Sequence, residues 1–74
     1  MTDKPDRDIE KSYPLDQFID KLRRLADDLE AGEQFEISIA GERIYVPVRA
    51  TYTIEHERED GDHEIEFQIK WSDE

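Results

Sequence analysis

The residues best suited to chemistry cluster around an Asp60-Gly61 step in the second half of the chain. Asp-Gly favours the two-residue type I′ turn of a β-hairpin, and that turn sets glutamates of one strand opposite glutamates of the other. Carboxylate oxygens are the ligands that Ca²⁺ and Mg²⁺ prefer in proteins. The candidate ligands for such a cation are Glu55, Glu57, Glu64 and Glu66.

These carboxylates have a simpler interpretation as a solvated acidic face. Like charges that lie directly opposite each other repel, but concentrated salt screens that repulsion. The ligand spacing of a dedicated calcium loop is absent, and Asp60-Gly61-Asp62 alone is weak support for one. We therefore favour the solvated face and assign no metal ligand.

His56 and His63 fall near the same turn, on the opposite face of the hairpin. Two imidazoles with carboxylates nearby can bind a transition metal, although ordinary positions at the rim of a sheet are the simpler interpretation. The serines have no spacing relation to a histidine, and the carboxylates are not set in an apolar context that would separate acids from bases. We therefore predict no catalytic residue, no cofactor and no enzymatic activity.

The charge balance of the chain limits its partners. The 74 residues include 21 acids against 10 bases, for a formal net charge of −11. A surface this negative repels phosphate backbones and anionic lipid, so we expect neither nucleic acid nor a membrane as a partner. It also keeps a protein hydrated in molar salt, where the Debye length of about 3 Å screens self-repulsion. We therefore expect adaptation to high salt.

Length and residue types indicate one small domain. Only 35% of the 74 residues are apolar, so the core must be thin. The chain has no cysteine, which excludes disulfides and thiolate metal sites. Its first residues lack an apolar leader, and no apolar run approaches the roughly eighteen residues of a membrane span. We therefore predict a cytoplasmic protein.

Alternation predicts the hairpin that positions the acids. Apolar and polar side chains alternate without error from His63 to Trp71, which is the period of a half-buried β-strand. Pairing this strand back through Asp60-Gly61 places apolar residues opposite each other on one face, which we expect to be core. The predicted pairs on that face are Arg58/His63, His56/Ile65, Ile54/Phe67, Tyr52/Ile69 and Ala50/Trp71.

An amphipathic helix is predicted before the strands. Apolar residues from Leu15 to Leu29 recur at the spacings of one helical face. Pro14 suits the start of this helix, and Gly32 suits a position just past its end. We expect the helix to cover the apolar side of the strands.

A first hairpin is predicted between the helix and the acidic turn, with Ala40-Gly41 as its loop. Its apolar pairs would be Phe35/Val46 and Ile37/Ile44. Pro47 cannot donate a ladder hydrogen bond, so we place a break there. The predicted fold is α+β and two-layered, with one N-terminal helix packed on a four-stranded antiparallel sheet of two β-hairpins. A single bent strand shared by both hairpins is the alternative.

The first residues differ in composition from the rest. Residues 1–12 are mostly charged and carry one isolated apolar residue, Ile9. We predict a flexible acidic arm there, followed by one domain at residues 13–72. A short edge strand through Ile9, Lys11 and Tyr13 is the alternative.

A second candidate surface combines bases with a tyrosine on the polar face of the strands, away from the acidic turn. It would suit a small anion or a docked peptide, although ordinary cross-strand neighbours are the alternative. Trp71 ends the last strand and either caps the core or anchors another subunit. The candidate interaction residues are Arg43, Tyr45, Arg49, Lys70 and Trp71.

Three segments stand out together: Leu22–Gly32 (LRRLADDLEAG), the Val46-Pro47 step, and Glu64–Trp71 (EIEFQIKW). Over roughly residues 14–71 they resemble the small Amphi-Trp domain family of archaea and bacteria. The resemblance implies the helix and the amphipathic strand with its tryptophan, but no activity, cofactor or catalytic residue. The acidic composition also resembles that of proteins from halophilic archaea.

These observations predict a small non-enzymatic module for protein interaction or self-association, adapted to high salt. Its partner would be another protein or a second copy of the chain. A divalent-cation-binding domain that uses the acidic hairpin tip is the alternative.

Overall fold

A computed structural model describes residues 4–73. Its elements are α1 (Leu15–Ala31), β1 (Phe35–Ile39), β2 (Glu42–Val46), β3 (Thr51–Glu59) and β4 (Asp62–Lys70). The α+β class and the order of helix, hairpin and hairpin are therefore confirmed. The ladders join β1 to β2 and β3 to β4, so the four antiparallel strands form two two-stranded sheets rather than one continuous sheet.

The helix begins and ends where the sequence predicts. Pro14 precedes its first residue with extended backbone, and its fixed φ of −57° leads directly into the helix. Gly32 adopts the left-handed conformation at φ 70°, and its N–H donates to the carbonyl of Leu29 at 3.2 Å. This is a glycine-terminated C-cap, which satisfies carbonyl groups of the last helical turn.

The β1–β2 hairpin has the predicted register. Phe35 pairs with Val46, and Ile37 pairs with Ile44. The loop residues Ala40 and Gly41 both have positive φ, at 47° and 85°. A type I′ turn requires that conformation at both central residues, and it matches the twist of the flanking strands.

The β3–β4 hairpin also has the predicted register. The pairs on its apolar side are Tyr52↔Ile69, Ile54↔Phe67, His56↔Ile65 and Arg58↔His63. The predicted Ala50/Trp71 pair lies just beyond the ladder, which ends at Thr51↔Lys70. Asp60 and Gly61 have φ of 51° and 83°, which is the backbone of the expected type I′ turn.

A turn at residues 47–50 separates the two hairpins. The N–H of Ala50 donates to the carbonyl of Pro47 at 3.1 Å, which reverses the chain between β2 and β3. Pro47 has no N–H to extend a ladder. The predicted break is therefore confirmed, and the single bent strand is wrong.

The core is smaller than the sequence predicts. Phe35, Val46 and Ala50 are buried, and a ring of half-buried apolar residues packs against them. That ring consists of Leu25, Ile37, Ile69 and Trp71. The outer part of the β3–β4 apolar side is solvent-exposed, so the expectation that this whole side is core is wrong. The helix lies against β1, and the second hairpin extends beyond it.

The described part of the arm has no helix or strand between residues 4 and 14, so the alternative edge strand through Ile9 does not form. Arg7 nevertheless contacts the first hairpin, because its guanidinium donates to the carbonyl of Ile39 at 2.9 Å and lies 3.7 Å from the carboxylate of Glu42. The first three residues of the predicted arm lie outside the described residues. Within residues 4–73, no helix is both long and apolar enough to cross a membrane.

Candidate functional site

The exposed apolar side chains of the β3–β4 hairpin form the most unusual surface of the molecule. We call Tyr52, Ile54, Ile65 and Phe67 the apolar face. Their exposed fractions are 48%, 70%, 66% and 61%. The four side chains lie on one side of the hairpin, because the two on each strand are two residues apart and Ile54 pairs directly with Phe67. Contiguous exposed apolar surface of this kind marks an interaction site more often than it marks ordinary solvent-facing surface.

The apolar face continues into a groove between the helix and the strands. This apolar cleft has a volume of about 370 Å³ and includes Phe18 and Leu22 of α1, Phe67 of β4 and Trp71 just after β4. Phe18 and Leu22 are partly exposed although they lie on the apolar side of the helix. Because Phe67 belongs to both the face and the cleft, the two surfaces are continuous.

The acidic side of the same hairpin gathers three of the four candidate cation ligands. Carboxylate oxygens of Glu57, Glu64 and Glu66, which we call the acidic cluster, all lie within 4.8 Å of one another. The fourth candidate, Glu55, is held beside them by Gln68, whose amide donates to Glu55 at 2.9 Å and to Glu66 at 2.7 Å. The geometry thus brings the predicted carboxylates together on one exposed surface.

Two members of the acidic cluster have pKa values shifted in opposite directions. A hydrogen bond to the Glu66 carboxylate raises the pKa of Glu64, and the negative charges of Glu66 and Glu57 raise it further. The same hydrogen bond lowers the pKa of Glu66, and the amide of Gln68 lowers it too. Of the two carboxyl groups, Glu64 is therefore the one that gains a proton first as the pH falls, and that protonation relieves part of the repulsion in the cluster.

The two histidines meet each other on the apolar side of the hairpin. His56 Nε2 lies 3.0 Å from His63 Nδ1, and the rings stack with centroids 5.3 Å apart. One ring must donate and the other must accept, so each satisfies the other's ring nitrogen. The register makes them diagonal neighbours across the strands, which is within reach of aromatic side chains. The sequence predicted only that the two histidines lie near the same turn. The predicted register already makes them diagonal neighbours, and their contact could have been inferred from it.

The predicted basic and aromatic surface is divided between the two hairpins. Arg43 and Tyr45 lie on β2, where Arg43 is 3.9 Å from the carboxylate of Glu36. Arg49 donates to the carbonyl of Ser72, and with Lys70 it lines an open depression of about 1000 Å³ at the base of β3–β4. The structure therefore places these residues at two locations instead of one.

The helix α1 ends at the C-cap Gly32, and the amphipathic strand β4 is followed directly by Trp71. The model of the Amphi-Trp domain family matches residues 1–74, which is the whole chain. The chain belongs to the Amphi-Trp domain family. No curated protein and no solved structure shows significant similarity to it.

The tryptophan at the end of this Amphi-Trp domain lies where its core and its open surfaces meet. Trp71 is half-buried and packs against the core of Phe35, Val46 and Ala50. It also lines both the apolar cleft and the depression beside Arg49. The indole therefore contributes to the core, which is one of its two predicted roles, and it is partly exposed. The other role, as an anchor for a second subunit, stays a prediction.

Proposed function

We propose that this Amphi-Trp domain is a non-enzymatic interaction module that binds protein, a second copy included, through the apolar face and the apolar cleft. The observation that carries this proposal is the exposure of four large apolar side chains on one side of a single hairpin. Tyr52 and Phe67 supply aromatic groups of the type that dominates binding energy in protein interfaces. Among the predicted interaction residues, Trp71 lines this surface.

The stability of the hairpin supports the same function. An isolated two-stranded hairpin is marginally stable in water, because it has no packed layer to bury its side chains. Every residue from Thr51 to Ile65, which is all of β3, the turn and the first part of β4, is exposed, and neither strand lies close to α1 or the first hairpin along its backbone. A bound partner would supply the missing layer.

The chemistry of the polar groups supports a binding role over catalysis. Nε2 of His56 and Nδ1 of His63 contact each other, so these two ring nitrogens are occupied by one another instead of by a hydroxyl nucleophile. The formal net charge of −11 opposes binding to phosphate backbones and anionic lipid. It favours work in concentrated salt, where repulsion within the acidic cluster is screened.

Affinity capture with matched variants tests this function. Ile65→Glu places a charge on the apolar face, whereas Val48→Glu makes the same change at an 88% exposed valine in the turn between the hairpins. Bait protein would be incubated in high-salt lysate together with a differently tagged copy of itself. We expect proteins retained by the wild type and by Val48→Glu to be lost with Ile65→Glu. Identical retention by all three baits would contradict an interaction through the apolar face.

A divalent-cation domain is the second candidate function, and the 4.8 Å grouping of Glu57, Glu64 and Glu66 favours it. Isothermal titration of Ca²⁺, Mg²⁺ and Mn²⁺ in molar KCl tests it directly. Cation binding predicts a saturable isotherm for the wild type that disappears when Glu57 and Glu64 are both changed to Gln. The absence of saturable binding tighter than millimolar would remove this function.

A further inference from the structure

We propose that the partner of the apolar face is a second copy of this chain, in a two-fold dimer whose β3–β4 hairpins pack on each other face to face. This inference rests on the interaction function proposed above and specifies its partner. In this dimer the outer end of each hairpin lies along the other copy's apolar cleft. The interface would be isologous, with the same surface used by both copies.

The surface area of the single chain supports a constitutive partner. The chain exposes 6808 Å², whereas a folded monomer of its 8.8 kDa mass exposes about 4,800 Å². Its Cα radius of gyration is 14.2 Å, against about 11 Å for a compact chain of this length. Residues 4–12 and 51–65 are all exposed and contribute to this excess. A chain with so little buried surface gains most from a partner that is present whenever it folds, and a second copy of the chain meets that condition.

The size of the exposed apolar surface matches one side of a stable interface. The apolar face together with Phe18 and Leu22 comprises six large side chains that are each between about two-fifths and seven-tenths exposed. Each of these side chains exposes on the order of 100 Å² of surface, so the six together supply about 600 Å² per copy. Polar atoms at the rim would extend this toward the roughly 800 Å² per partner of a standard interface.

The arrangement of side chains along the hairpin suits two-fold packing. Ile65 lies toward the turn, Ile54 and Phe67 form a directly opposed pair at the middle, and Tyr52 lies toward the base. Antiparallel packing with the two-fold axis at the Ile54–Phe67 pair sets Ile65 of each copy against Tyr52 of the other. The surface is therefore complementary to itself when it is reversed.

The charges also permit this contact. The acidic cluster lies on the opposite side of the hairpin from the apolar face, because its residues alternate along β3 and β4 with those of the apolar face. Face-to-face packing thus leaves those carboxylates in solvent. Two chains of formal charge −11 still repel at longer range, so we expect the dimer to tighten as salt is added.

Sedimentation equilibrium in molar KCl provides the first test. The wild type and Val48→Glu should sediment at twice the chain mass of 8.8 kDa. Ile65→Glu would bury an uncompensated charge at the contact, and we expect its dimer dissociation constant to rise at least about 100-fold. A dimer of unchanged strength in Ile65→Glu would overturn the proposed contact.

Thiol cross-linking provides a second test that does not depend on the folding of a charged variant. The chain has no cysteine, so Ile54→Cys and Thr53→Cys each introduce a single thiol on opposite sides of β3. Packed sheets lie about 10 Å apart, beyond the reach of a disulfide, so a short bismaleimide is the suitable reagent. We expect a covalent dimer from Ile54→Cys and little from Thr53→Cys. Equal yields, or none from either, would overturn the face-to-face arrangement.

Failure of the dimer and failure of the interaction function give different results. A folded wild-type monomer that still captures another protein, and loses it with Ile65→Glu, would overturn the dimer and leave the interaction function standing. A folded wild-type monomer without any such partner would remove both.

Discussion

Glu64 and Glu66 lie two residues apart on β4, so their side chains point to the same face. The hydrogen bond between them raises the pKa of Glu64 and lowers the pKa of Glu66. Glu64 therefore stabilises the fold when it is protonated at acid pH, and this contribution is lost as the pH rises through its raised pKa. Glu66 acts in the opposite direction, because its contribution is lost as the pH falls through its lowered pKa.

Replacing Glu64 with Gln tests this local electrostatics. The amide keeps a hydrogen-bond donor for Glu66 and removes a charge that faces Glu57 across the ladder. We expect Glu64→Gln to raise the thermal midpoint at neutral pH, measured by circular dichroism in low salt. The advantage over the wild type should shrink as the pH falls through the raised pKa of Glu64, because the wild-type carboxyl then gains its own proton.

Glu33→Gln is the matched control for this change. Glu33 lies in the exposed segment between α1 and β1, away from the ladder. Glu33→Gln removes the same charge from the chain as Glu64→Gln, so a rise in thermal midpoint caused by net charge alone would appear in both variants. Equal shifts in the two midpoints at every pH would argue against repulsion within the acidic cluster.

At the scale of elements, each hairpin depends on a turn whose two residues both have positive φ. Gly61, at φ 83°, has no atom beyond itself and its two chain neighbours within 4 Å of the position that a Cβ would occupy. A side chain at this position would therefore meet no steric clash with the rest of the fold. The requirement for glycine is conformational, and it arises in the backbone alone.

Gly61→Ala should destabilise the protein by about 1–2 kcal/mol, because a left-handed backbone places Cβ too close to the following carbonyl oxygen. Gly61→Asn is the control, since asparagine tolerates this conformation and should lose less. Urea unfolding measures both variants, and hydrogen exchange at β3 and β4 locates the effect. If alanine and asparagine gave equal losses, backbone conformation would not be the cause.

At the scale of the whole molecule, excess negative charge opposes the compact state. The formal net charge is −11, and the acidic cluster concentrates three carboxylates on one hairpin. Screening by concentrated salt reduces repulsion between such exposed groups, because the Debye length falls from about 10 Å at 0.1 M to about 3 Å at 1 M. The same screening brings two acidic chains together more easily.

We therefore expect the thermal midpoint to rise between about 0.1 M and about 2 M KCl. A variant in which Glu55, Glu57 and Glu64 are all changed to Gln should show a smaller rise, because fewer opposed charges remain to be screened. Scanning calorimetry at fixed protein concentration measures both slopes. Parallel slopes would attribute the salt effect to burial of apolar surface instead of to the acidic cluster.

The chain itself determined the elements, the register of both hairpins and the two type I′ turns. These features depend on local geometry. Side chains return to the same face every two residues in a strand and about every 3.6 residues in a helix. Asp60-Gly61 adopts the positive φ values that its turn requires. The opposition of Glu57 to Glu64 follows from that register without further information. Residue spacing alone therefore predicts the grouping of the candidate carboxylates.

Only the tertiary structure decided whether another layer of the fold covers the apolar face. Alternation shows that Ile54 and Phe67 share one side of a hairpin, but it carries no information about the layer opposite that side. That layer depends on how the 47–50 turn directs the second hairpin relative to α1, and long-range packing sets this direction. The structure leaves the face outside the core, and so the amphipathic strand with its terminal tryptophan forms an exposed apolar surface as well as a core element.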